Sequence, residues 1–227
     1  MKKTIAFILI IIVILFLGII IENNQITNLS NKFTSSCEDL NYEKNLLNNK
    51  EKFGELDINI KISKERKWKK IIIKNQLSAL ENNSYTYDAE YTPVTLIIKN
   101  KEGLNCKLLA EIKPHGDLAD HFVNFKSGAD TIYELPSLKV KILNGNIFGI
   151  VEFRLFIPKT RNYSNEIFTA TFLEELGFYT PRNTYVNINY DHKVTKFIFQ
   201  EKINKELLEK NSQQAGYVFT GDERIDL

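Results

Sequence analysis

The sequence predicts an α+β fold, a mostly antiparallel sheet with one main packed helix, preceded by a transmembrane helix. Three observations carry this expectation. Short segments such as Leu56–Ile62 and Leu138–Leu143 alternate apolar and polar residues, the pattern of half-buried strands. Turn residues separate paired segments, at Asn100-Lys101-Glu102-Gly103 and again at Asp191-His192-Lys193. One segment, Ser164–Leu176, has helical length and stops on Gly177, where a glycine takes the left-handed turn that ends a helix.

The elements follow in order. Met1-Lys2-Lys3 precedes the apolar run Thr4–Ile21, TIAFILIIIVILFLGIII. At about 1.5 Å per residue this run makes ~27 Å of helix, enough to cross a hydrocarbon core. No small-x-small cleavage site follows, so residues 1–22 read as an uncleaved signal anchor rather than a cleaved signal peptide. Two lysines before the span and Glu22 after it keep the N-terminus cytoplasmic and place the rest outside, in a single-pass arrangement at the cell membrane. Residues 23–54 are rich in Asn, Lys and Ser without an apolar period, and read as a polar tether. The domain spans 55–227. It begins with the strand Leu56–Ile62, continues with a helix from Lys64 to Asn82 capped by Ser63, and then turns to β structure. Strands are expected at Val94–Ile98, Leu108–Lys113, Leu138–Leu143 and Val151–Ile157. After the 164–176 helix come a hairpin of Arg182–Tyr190 and Val194–Gln200, a short helix at Ile203–Lys210 and a short strand at Tyr217–Thr220.

Composition excludes several classes. Among 227 residues, 30 Lys and Arg face 28 Asp and Glu, so no concentrated positive charge supports a nucleic-acid partner. The lysine cluster of Lys64–Lys70 reads as a solvated helix face. Two cysteines exclude a disulfide scaffold, and three histidines leave little for a metal site. Outside the cytoplasm Cys37 and Cys106 are free to pair; two unrelated thiols are the alternative.

Five stretches carry a resemblance: Gly116–His121, Ser137–Ile142, Pro158–Glu166, Glu175–Arg182 and Gln200–Glu209. In this order and spacing the chain resembles the CotH family, the spore-coat protein H-like atypical kinases, over roughly residues 56–223. The resemblance implies the N-terminal, nucleotide-cradling lobe of a protein-kinase-like fold, ATP with Mg or Mn as cofactors, and phosphorylation of a protein outside the cytoplasm. In such a lobe a lysine meets the nucleotide phosphates while a helix carboxylate holds it. Lys141 takes the lysine position. A helical wheel centres Phe168, Phe172, Leu173 and Leu176 on the inner face, with Glu166 and Glu175 on its borders and Glu174 opposite. Glu166 is chosen as the partner because it falls on the matching segment Arg161-Asn162-Tyr163-Ser164-Asn165-Glu166. Arg161 projects onto the same face, and Gln200 and Glu201 open a linker whose backbone would meet the adenine. The chain departs from the family at Pro114-His115, where a cation usually precedes the glycine.

The expected function is therefore a membrane-anchored, extracytoplasmic kinase fragment, the ATP-cradling lobe of an enzyme whose catalytic lobe is missing here. The alternative is a non-catalytic surface binding or assembly module on the same fold, with a protein substrate or surface protein as partner. The acceptor-orienting Asp and the metal carboxylates belong to the large lobe. Asp222, Glu223 and Asp226 follow too short a stretch to supply one, so a truncated chain with no catalytic residue of its own is expected.

Overall fold

The computed structural model describes residues 56–82, 90–101, 105–116, 121, 135–212 and 214, all within the compact unit Ser36–Leu227. The strands are β1 (Asp57–Ile62), β2 (Thr92–Lys99), β3 (Asn105–Pro114), β4 (Leu138–Ile142), β5 (Glu152–Phe156), β6 (Asn183–Tyr190) and β7 (Lys193–Glu201). The helices are α1 (Glu65–Asn82), α2 (Asn165–Glu175) and α3 (Lys205–Lys210), with a 3-10 turn at Pro158–Arg161 before α2.

The expected α+β fold, a sheet with one main packed helix resembling the small lobe of a protein-kinase-like fold, is corrected by the strand order. The strands close into a barrel, β1-β2-β3-β4-β5-β7-β6. Every neighbouring pair is antiparallel except the closing one, where Asp57, Ile58 and Asn59 of β1 run parallel to Asn187, Ile188 and Asn189 of β6. Asn187 Nδ2 donates to Asp57 Oδ1 at 2.8 Å across this seam. The physical reason for closure lies in the inward residues. Ile58 and Ile60, Leu96 and Ile98, Leu108 and Ile112, Val140, Phe153, Ile188 and Phe199 belong to one buried cluster. The sheet covers its apolar face with itself, and Phe153 stacks on Phe199 with ring centres 4.5 Å apart.

That closure leaves the helices secondary tasks. Helix α1 sets Trp68 into the barrel's core cluster and buries Ile71, while Lys64, Lys67, Lys69 and Lys70 stay exposed. Helix α2 buries only Ala170, so it is not the cover that the sequence suggested. It ends as expected: Gly177 has φ +87°, its N–H donates to Glu174 O at 2.9 Å, and the Phe178 N–H donates to Leu173 O at 3.0 Å. In the β6–β7 hairpin, Asp191 and His192 take φ of +48° and +62°, the mirror-image turn that fits strand twist.

The expectation of a single-pass membrane protein is corrected as well: among the described residues no helix is long and apolar enough to cross a membrane. The apolar run 4–21, the tether 23–54 and the strand expected at 217–220 lie outside the described residues. Cys106 is fully buried on β3 and disulfide-bonded; the only other cysteine of the sequence, Cys37, lies outside the described residues.

Candidate functional site: an arginine-lined cavity beside helix α2

Strand alternation turns every second residue of β4, β5, β7 and β6 away from the core. Register then lines four of them up across the outer face. Lys139 pairs with Arg154, Arg154 with Gln200, and Gln200 with Asn183. The 3-10 turn and α2 lie beside this row and border an open cavity of about 570 Å³, to which Arg154, Arg161, Asn165, Glu166, Asn183 and Gln200 contribute polar atoms. Ala170, Leu173, Pro181 and Ile203 supply its apolar wall.

The turn that carries Arg161 is tightly specified. Pro158 is buried and fixes its first position. Asn162 and Tyr163 then take left-handed backbone, φ +49° and +59°, with the Tyr163 N–H donating to Pro158 O at 2.8 Å. A left-handed tyrosine costs of order 1 kcal/mol, and such strain persists only where its surroundings hold it. The result sets the Arg161 guanidinium over the Phe156 ring, 4.0 Å from the ring centre.

The cavity is electrostatically unbalanced. Gln200 Nε2 donates to Glu166 Oε1 at 2.7 Å, and Arg154 reaches Gln200 Oε1 at a long 3.4 Å. Burial first, and then the charge of Arg161, pull the Arg154 guanidinium below its ordinary pKa, against the opposing pull of Glu152 and Glu166. Both Nε atoms, of Arg154 and Arg161, are buried without a hydrogen-bond partner among the described residues, as is Asn183 Oδ1. Each such orphan costs about 1–3 kcal/mol of desolvation.

Arg161, Glu166 and Gln200, singled out from the sequence, are brought together here. Lys141 is not. It is exposed and stands beside Glu111 and Glu152 in register, away from Glu166. The cation that faces Glu166 is Arg154, which sequence reasoning missed because alternation gives the face of a strand but not its cross-strand neighbours. Glu152 is committed elsewhere, at 3.0 Å from Lys139 Nζ and 2.7 Å from Lys202 Nζ. Glu201 points inward and is gripped by Arg182 at 3.0 and 3.1 Å. The backbones of Gln200 and Glu201 are strand, paired to β5, and the Lys202 N–H donates to Glu152 O. The backbone at Gln200 and Glu201 is thus part of the barrel's ladder. Glu174 and Glu175 are both exposed.

Asp117 and Asp120 lie outside the described residues, but His121 is seen. It is buried, with Nδ1 2.8 Å from Ser137 Oγ, and Ser137 Oγ accepts the Ile157 N–H at 3.1 Å. This ties His121 to the strand end that leads into the 3-10 turn. Among the described residues, no group of three or more His, Cys, Asp or Glu could hold a metal ion, so a resident Mg or Mn site finds no ligand set there. In comparisons with known proteins, no family model matches the chain, and no curated protein matches it.

Proposed function

We propose that the protein is a binding module whose cavity between β5, β7 and α2 holds an anionic group, a phosphate or a carboxylate. One observation carries the reading. Arg154 and Arg161 line the same cavity, and among the described residues the Nε of each is buried without a hydrogen-bond partner. An anion between them would relieve their mutual repulsion through charge-assisted hydrogen bonds to the two guanidinium groups. Asn162 and Asn165 at the rim add neutral donors. The nucleotide implied by the family resemblance is one source of such an anion. Phosphoryl transfer is not assigned, because the lysine–carboxylate pair expected of Lys141 and Glu166 is replaced by Arg154 bridged to Glu166 through Gln200.

The test is isothermal titration of the full chain with inorganic phosphate, phosphoserine and ATP at low ionic strength. Wild type should bind at least one of them. Arg154→Gln and Arg161→Gln should each weaken binding about tenfold or more, the loss expected of one charge-assisted contact. Equal heats for wild type and the double variant would sink the proposal.

A further inference from the structure

Helix α2 presents an anomaly that the cavity alone does not use. Phe168 is 70% exposed, Phe172 53% and Leu176 58%. At about 100° per residue, spacings of four place these three side chains on one stripe. The rings of Phe168 and Phe172 lie nearly parallel, 10° apart in plane with centres at 6.3 Å. Just past the helix, Phe178 and Tyr179 are also more than half exposed. An isolated exposed apolar residue is ordinary, but a contiguous row of this size marks a contact surface.

The stripe is continuous with the anion cavity. Leu173 and Thr169, which line the cavity, lie on α2 between the Glu166–Ala170 side and the phenylalanine stripe. A single ligand can therefore place a charged group on Arg154 and Arg161 and an apolar flank on Phe168, Phe172 and Leu176. Charge decides what kind of ligand this is. Helix α2 carries Glu166, Glu174 and Glu175 and no basic residue. An anionic membrane would set its charge against all three carboxylates, whereas a single anionic side chain can sit beside the two arginines, with Glu166 held by Gln200 Nε2. Two copies packing α2 against α2 would set like charges together.

We infer that the cavity and the α2 stripe together form one docking site for a protein segment that bears an anionic side chain, phosphorylated or carboxylate, flanked by apolar residues. This rests on the anion-binding reading above and extends it to a partner class. The two arginines hold the anion, and the stripe adds affinity that a free anion cannot draw on.

The full chain, immobilised, is offered three peptide libraries that differ at one fixed position: phosphoserine, glutamate or serine. Retention of the phosphoserine or the glutamate library above the serine library is expected, with apolar residues enriched at the flanks, and which of the two is retained identifies the anion. The doubly substituted Phe168→Ser/Phe172→Ser chain should bind the selected peptides about tenfold more weakly while titrating with free phosphoserine as wild type does. Both substitutions are at exposed positions, and an unchanged circular dichroism melt confirms that the variant is folded. No apolar enrichment, or equal peptide binding by the serine variant, overturns this inference and leaves anion binding standing. Absence of binding by free phosphate, phosphoserine and glutamate alike overturns the anion reading itself. Self-association of wild type that the serine variant abolishes would reassign the stripe to a second copy of the chain and likewise overturn the inference.

Discussion

Replacing Arg182 with Met tests whether the end of the barrel is held by one buried ion pair. Arg182 donates through Nε and NH2 to Glu201 at 3.0 and 3.1 Å. Its backbone N–H reaches the same carboxylate at 3.2 Å, and NH1 donates to Phe148 O at 2.8 Å. The Glu201 side chain is only 2% exposed. Arg182→Met leaves that carboxylate buried with a single backbone donor, and breaking one side of such a pair costs about 3–5 kcal/mol. For a domain of this size that corresponds to roughly 10 °C in Tm. Arg182→Met/Glu201→Leu removes the stranded charge and should recover most of the loss, because an apolar pair of similar volume is often no worse than a buried ion pair. Urea unfolding followed by tryptophan fluorescence measures both. A loss below about 1 kcal/mol for the single variant, or a double variant as unstable as the single, would refute the reasoning.

Three further outcomes are expected. Gly116 has φ +122°, and a Cβ there would stand 2.2 Å from His121 Cγ; Gly116→Ala should therefore destabilise by more than about 2 kcal/mol in the same urea assay, the clash adding to the strained backbone. Burial alone would raise the pKa of Glu152, but hydrogen bonds from Lys202 and Lys139 and their charges outweigh it and lower the value. The depressed carboxylate stabilises the fold above its unfolded pKa of about 4.3 and ceases to as pH falls through the lower folded value. Glu152→Gln should thus cost stability at pH 7 and converge with wild type in acid; parallel stability–pH curves would contradict this. Trp68 is the only tryptophan and is 1% exposed, so native emission should be blue-shifted and quenched little by iodide, and emission already near that of the unfolded chain would mean that α1 does not dock.

The local elements were legible because each rests on a short-range rule. Alternation at 57–62 and 152–156, the Gly177 stop and the Asp191-His192 turn all hold within a few residues of the chain. Closure was not legible. It depends on β1 meeting β6 across 130 residues, and alternation looks alike in an open sheet and in a barrel. The same omission misdirected the helical wheel. A wheel assumes that the apolar stripe is buried, yet a sheet closed on itself leaves Phe168 and Phe172 without a core to enter. Glu166 lay on the border of that stripe and does reach the cavity, whereas Lys141 required knowledge of which strand would lie beneath α2. Arg154 sits at an ordinary outward position of β5, and only its register with Gln200 distinguishes it.

Strand β1 has two hydrogen-bonded neighbours of opposite sense, β2 antiparallel and β6 parallel. Pulling this one segment out would open two raw edges at once, each with an unpaired row of amides and carbonyls beside the apolar side chains of the interior. Exposed edges of that kind recruit strands from other molecules. The six residues Asp57–Ile62 therefore also guard solubility. A chain that loses them, or frees them in a partly unfolded state, is the form in which this protein would aggregate or trade β1 between molecules.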